Sequence, residues 1–187
     1  MTWGLSDMAE DKPRLPYLQK LKGVSVRFEG PRPTWREAVV SGLGGALAMG
    51  VLYALTVDLK LVTCFMAPFG ASCALVFGLP TSPVSQPRNI IGGHMLSALV
   101  GLVVFSVSGR VTWLEMALAV GLAMVAMAIT RTYHPPAAVT ALLPVLQKIT
   151  TFTWALAPVG LGALLLVVIA VLYNNLFAER RYPVFWW

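Results

Sequence analysis

Histidine occurs only twice in this chain, and His134 stands directly before the proline pair Pro135-Pro136 in the stretch Arg131 to Val145, RTYHPPAAVTALLPV. A proline has no amide N–H and crowds the turn before it, so the pair suits the first turn of a helix and not its interior. A helix starting near Pro135 leaves the N–H groups of Ala137 and Ala138 without intrahelical partners, and Thr140 belongs to the same short segment. Such a terminus favours a negatively charged or electron-rich ligand.

A second start of this kind lies upstream. Pro68 interrupts the apolar segment Leu61 to Leu79, LVTCFMAPFGASCALVFGL, and Gly70 follows it. The local reading is a loop to Pro68 and then a short helix from Phe69 to Phe77. Ser72 and Cys73 add hydrogen-bonding capacity near that terminus, although their commoner use is to bond back to helix carbonyls. The loop Pro80 to Asn89 ends in Gln86, Arg88 and Asn89, which can donate hydrogen bonds at the mouth of the next apolar segment. His94 sits about one turn inside that segment. It either bonds, neutral, to a neighbouring helix or faces the same polar cavity as the Pro68 loop, since polar groups within a membrane commonly mark pathways.

These residues make a candidate anion site. Each helix start carries roughly half a positive charge, so starts near Phe69-Gly70 and Pro136-Ala137 that converge would partly offset the desolvation of one small anion without a fixed lysine. Arg88 and Arg131 attract the anion at the entrance, or else reach to the interface as topology residues. His94 and His134 bond the anion or carry a coupled proton, because no Asp or Glu lies in the middle of any apolar segment. The plainer alternative for His134 is that it caps or bonds a neighbouring loop.

Composition decides where such a site would operate. The 187 residues are 57% hydrophobic and 12% charged, with mean hydropathy +0.74. Soluble domains average about 25% charged residues, so the chain is read as integral to a membrane. The formal charge of +6 raises nucleic-acid binding only for a soluble protein. Here the basic residues cluster at the ends and between apolar runs, where topology and lipid headgroups account for them, and no nucleic-acid partner is expected. The polar, basic N-terminal region 1–34 lacks the apolar core and cleavage site of a secretory signal and includes a candidate interfacial strip, Tyr17 to Val26. A transmembrane domain at 35–177 and an aromatic tail at 178–187 follow, with Tyr182, Trp186 and Trp187 suited to an interface anchor.

The expected architecture is all-α, a polytopic membrane helix bundle of two three-segment repeats with proline-broken second and fifth segments. The long segments are about Arg36 to Thr56, Ile90 to Val107, Thr112 to Thr130 and Thr151 to Leu176, the last with a bend expected at Pro158. Pro68 to Leu75 can be laid over Pro135 to Leu142 at one constant offset, and Val100-Gly101-Leu102 answers Val159-Gly160-Leu161. Paired broken elements of this kind point to a transporter site near the midplane. If both broken segments cross, there are six passes and the halves are inverted. If both are re-entrant, there are four and the halves are parallel. In either scheme the two termini share a side, taken as cytoplasmic, in what we expect to be a bacterial inner membrane.

Other chemistry is poorly supported. Two histidines with no nearby intramembrane carboxylate make neither a zinc hydrolase nor a Ser-His-Asp arrangement, and no glycine-rich nucleotide loop is present. Cys64 and Cys73 are read as buried thiols, not as a disulfide or metal site. No cofactor or metal and no enzymatic activity are expected. The thin, glycine-rich bundle suggests a homodimer.

Three ordered motifs carry a resemblance: Thr132-Tyr133-His134-Pro135-Pro136, Ala67 to Ser72 (APFGAS) and Ser82 to His94 (SPVSQPRNIIGGH). From about Trp35 to Phe177 the chain resembles the HPP family of integral membrane proteins. The resemblance implies a small multi-span membrane domain, often counted as four spans, and the nitrite transport associated with some plant and cyanobacterial members. The function expected is therefore movement of a small inorganic anion, nitrite or nitrate. The alternatives are an anion channel and a non-transporting sensor or scaffold module.

Overall fold

The computed structural model describes residues 33–60 and 66–187. The interfacial strip Tyr17 to Val26, the rest of the basic region up to Arg32, and Cys64 lie outside the described residues. Six helices make up the bundle: α1 (Trp35–Asp58), α2 (Pro68–Gly78), α3 (Pro87–Ser108), α4 (Trp113–Ile129), α5 (Ala137–Gln147) and α6 (Phe152–Asn174). They form two groups of three, with a short, proline-started helix in the middle of each group.

Local chemistry sets the boundaries. Thr34 and Glu37 close a reciprocal cap on α1, in which the Thr34 hydroxyl accepts from the Glu37 amide and the Glu37 carboxylate accepts from the Thr34 amide. Pro68 and Pro87 occupy the first turns of α2 and α3, where their missing N–H costs nothing. Helix α3 ends on Gly109 at φ 63°, a left-handed cap that glycine adopts without a Cβ clash. Helix α5 divides at Ala141. The physical cause is Pro144, which has no N–H for the Thr140 carbonyl and crowds it. Helix α6 opens as a 3-10 turn, Phe152–Ala155, and a π turn, Leu156–Gly160, with Ala157 extended at φ −139°, ψ 123°. The bend expected at Pro158 is present.

Side-chain bonds sort the helix ends into two sets. At one end, Arg180 donates to the Glu37 carbonyl (3.2 Å) and Ser41 Oγ (2.9 Å) of α1, to the Phe77 carbonyl of α2 (2.8 Å) and to Asn174 Oδ1 of α6 (3.2 Å). Arg88, in the first turn of α3, donates to the Thr130 carbonyl just after α4 (2.9 Å). The start of α1 thus lies beside the finishes of α2 and α6, and the start of α3 beside the finish of α4. The finishes of α5 and α3 share one buried apolar cluster, with Val145 from α5 and Phe105 from α3. Among the described residues the bundle is thus six helices, of which α2 and α5 are short. Three passes, α1, α3 and α6, are long and apolar enough to cross a membrane unaided. Helix α4, with 17 residues, sits at the lower edge of the roughly 17–25 residue range for a span. Helices α2 and α5 are shorter still.

Large apolar side chains such as Val103, Leu122, Leu164 and Leu172 point outward, as a bundle solvated by hydrocarbon requires. Inside, Leu52, Phe69, Phe77, Ile90, Leu102 and Leu166 form the main core without solvent exposure.

Candidate functional site

The polar core is built where the two broken helices meet α3. His94 projects from the second turn of α3, roughly 10 Å along the axis from Pro87 at 1.5 Å per residue. Its Nε2 lies 2.8 Å from Ser72 Oγ of α2, and its Nδ1 lies 2.7 Å from Thr140 Oγ1 of α5. Ser72 Oγ is also 2.9 Å from His134 Nε2, and His134 Nδ1 donates to the Val84 carbonyl at 2.6 Å. Ser72, His94, His134 and Thr140 have no solvent exposure. The two imidazole centroids stand 5.2 Å apart, and Phe69 presents an edge-to-face contact to His94 at 4.9 Å.

Glycines in α3 make room for this. A Cβ at Gly93 would come within 2.9 Å of both His134 Cβ and the Thr132 carbonyl oxygen, and one at Gly92 within 2.9 Å of Thr132 Cγ2. The loop before α5 therefore rests directly on the α3 backbone. Asn89 Nδ2 holds the same loop through the Tyr133 carbonyl (2.9 Å).

The expectation of unpartnered amides at the two helix starts is overturned. The Ala137, Ala138 and Val139 amides donate to the His134, Pro135 and Pro136 carbonyls (2.9–3.3 Å). Likewise Phe69 and Gly70 donate to Met66 and Ala67 (3.1 and 3.0 Å). Each proline-started helix is preceded by a turn that already winds helically, so its first N–H groups find carbonyls three residues back. The starts do converge, but on the histidines and not on free amides.

The remaining candidates separate into two groups. Pro68, Phe69, Pro136 and Ala137 are buried around the polar core. Pro135 and Gly70 are exposed, and Gly70 lines a different cavity of about 400 Å³ with Gly42, Gly45 and Cys73. Arg131 is exposed at φ 55° in the turn after α4. Gln86, Arg88 and Asn89 are positioning groups and not free donors. Gln86 Nε2 bonds the Pro80 and Ser82 carbonyls (2.9 and 2.8 Å) and shapes the 80–86 loop, while Arg88 and Asn89 hold the loop after α4. His94 bonds to neighbouring helices and not to an open cavity, and His134 bonds a neighbouring loop as well as Ser72.

The alignment of Pro68 with Pro135 puts Ser72 opposite Val139. In the structure Val139 is exposed, and the two hydroxyls that meet His94 are Ser72 and Thr140, each four residues after its buried proline, Pro68 or Pro136. Hydroxyl position, and not letter identity, marks the equivalence.

The C-terminal tail also departs from expectation. Tyr182 is 1% exposed and is no interface anchor: its hydroxyl donates to the Ser85 carbonyl (2.9 Å), and burial pushes its phenol above the ordinary value of 10. Val184 N donates to Gln86 Oε1 (2.9 Å). The tail thus straps down the loop that carries Val84, whereas Trp186 and Trp187 stay exposed. Val84 and Gly93 carried no signal as single letters and Tyr182 read as an interface anchor, because a carbonyl, a missing Cβ and a long-range tail contact show only in three dimensions.

Among the described residues, no group of three or more His, Cys, Asp or Glu side chains is placed to hold a metal, and Cys73 is a buried free thiol. Residues 30–183 match the family described as HPP, transmembrane region. A transmembrane protein of Dictyostelium discoideum is 37% identical, over 92% of this chain and 58% of its own length. A second from the same organism is 32% identical, over 92% and 64%. The chain thus spans about three-fifths of the curated relatives it matches. No solved structure matches it.

Proposed function

The chain belongs to the HPP transmembrane family, and from that premise we propose that it moves a small inorganic anion, nitrite or nitrate, across a membrane together with a proton. The observation that carries this reading is the sealed polar core. Two imidazoles and two hydroxyls sit without solvent exposure in an apolar bundle, where the broken helices of the two three-helix groups meet. Polar groups are costly at such depth and mark pathways. Among the described residues, a protonated imidazole there has no carboxylate beside it, since Glu37, Asp58, Glu115 and Glu179 all lie at or beyond helix ends. An incoming anion would supply the missing charge. With the backbone amides bonded within their own turns, the donors that opening would turn from one another toward that anion are the imidazole N–H groups and the Ser72 and Thr140 hydroxyls.

The core is closed in the structure, so the proposed cycle includes an opening step. A homodimer belongs to the same reading, supported by α1, whose most apolar window is only 17% buried.

Reconstitution into liposomes tests the function. Saturable nitrite or nitrate flux that responds to an imposed pH gradient and is lost in a folded His134→Ala variant is the expected result. Flux without saturation would favour a channel, and anion binding without flux a sensor or scaffold module. Flux that ignores the pH gradient would remove the proton.

A further inference from the structure

We propose that Thr140, His94, Ser72 and His134 form one directed proton relay that holds a single added proton, which Ser72 hands between the two imidazoles and which cannot leave past Val84. The proposal deepens the proton-coupled reading above and rests on it for its purpose, but its geometry stands on hydrogen-bond bookkeeping alone.

The sense of the chain is set by one atom. The Val84 carbonyl oxygen can only accept, so the His134 Nδ1 at 2.6 Å carries hydrogen. In the neutral ring Nε2 is then a bare acceptor, and the Ser72 hydroxyl at 2.9 Å donates to it. Ser72 has one hydrogen to give. Its other acceptor, the Pro68 carbonyl, is at the longer distance of 3.4 Å, where a hydrogen bond is weak. With that hydrogen spent on His134, Ser72 Oγ accepts from His94, which places a hydrogen on His94 Nε2. His94 Nδ1 is therefore bare, and Thr140 donates to it. The two histidines are thereby assigned opposite tautomers, His94 with Nε2–H and His134 with Nδ1–H.

An added proton, from hydronium or from the conjugate acid of the transported anion, enters at His94 Nδ1 when the Thr140 hydroxyl rotates from donor to acceptor. Every other bond is kept. The charge then moves on in one concerted step. The His94 Nε2–H bond breaks as a Ser72 O–H bond forms, and the original Ser72 O–H bond breaks as a His134 Nε2–H bond forms. Ser72 is again a neutral hydroxyl, now donating to His94 Nε2 and accepting from His134 Nε2, His94 is neutral with Nδ1–H, and His134 is the cation. At His134 the proton stops, because an amide carbonyl does not pass one on.

A second proton finds no counter-charge. The rings are 5.2 Å apart. Among the described residues, the titratable or charged groups around them are Cys73 beside Ser72, Tyr133 beside His134, Tyr182 through the Ser85 carbonyl, and Arg88 and Arg131 at the nearby helix ends. None of these is a carboxylate. The core therefore takes one proton, which matches one monovalent anion in an electroneutral pair.

Solid-state NMR of the full chain in lipid bilayers, with nitrogen-labelled histidine, tests this without any transport measurement. Only two histidines are present, so their signals are separable. At neutral pH one ring is expected as Nε2–H and the other as Nδ1–H, and acidification should add one proton per chain, shared by both rings. Ser72→Ala should abolish the sharing, whereas Ser72→Thr, which restores the hydroxyl, should keep it. The same tautomer on both rings, or independent uptake of two protons by the wild type, would overturn the relay, and the wild-type spectra decide this even if Ser72→Ala does not fold. A failed relay with saturable flux intact leaves the transport reading standing. Opposite tautomers without flux leave the relay standing and remove its purpose.

Discussion

A Cβ on Gly101 would lie 2.2 Å from the carbonyl oxygen of Ala141, so α3 and the break in α5 meet backbone to backbone. Nothing at that contact is the far end of a flexible side chain that could swing aside. Gly101→Ala should therefore cost at least the roughly 1–3 kcal/mol typical of overpacking. A thermal unfolding curve in mild detergent reads this directly, and an unchanged midpoint would contradict the packing.

Thr140 can be tested by shape. Thr140→Val keeps the volume but leaves the Nδ1 of His94 without its 2.7 Å partner. An unsatisfied buried acceptor costs about 1–3 kcal/mol. Thr140→Ser should recover most of that stability and the flux, while the valine variant should lose both. If the valine variant matched wild type in denaturation and transport, the bond would have no role in either.

Tyr182 makes stability depend on alkaline pH. Burial raises its folded-state value above the ordinary 10, so folding favours the neutral phenol. The contribution is complete below the unfolded value and is lost as pH climbs from about 10 toward the folded one. Tyr182→Phe should be less stable near neutral pH, because the Ser85 carbonyl loses its donor, and should show a shallower decline above pH of about 10. Unfolding midpoints recorded across that range check the sign.

Arg180 is a clamp with several jaws, reaching backbone or side-chain oxygens on α1, α2 and α6. A lysine offers a compact charge without the planar fork. Arg180→Met should cost on the order of 1.5–3 kcal/mol, the range for hydrogen bonds involving a charged group, and Arg180→Lys should restore less than half of it. Full rescue by lysine would show that charge, not geometry, holds the helix ends.

The sequence made the helices legible because prolines and glycines punctuate them. Pro68 and Pro87 begin helices, Gly109 ends one and Pro158 bends one, all at positions that local backbone chemistry dictates. His94, Ser72, His134 and Thr140 were already candidates in the sequence, because Ser72, His134 and Thr140 flank the two proline starts and His94 is the other histidine, inside the apolar segment after the 80–89 loop. What escaped was the partner of each group. The amides of Ala137 and Phe69 are bonded by carbonyls in the turns before them, which letters do not reveal. Arg88 and Asn89 look like ligand donors in sequence and are loop holders in space. Arg180 reads as one more topology charge until its four acceptors are seen together. The repeat was detectable by its prolines, but its register was not, because Ser72 and Thr140 share a hydroxyl and not a name.

The strap formed by Tyr182 and Val184 bears on how this protein can be handled at the bench. A version trimmed back to Phe177 would look like a harmless removal of a floppy aromatic end, yet it would discard the Ser85 and Gln86 partners together with the Arg180 clamp. Crystallographic or expression trimming is better kept to the exposed pair Trp186 and Trp187.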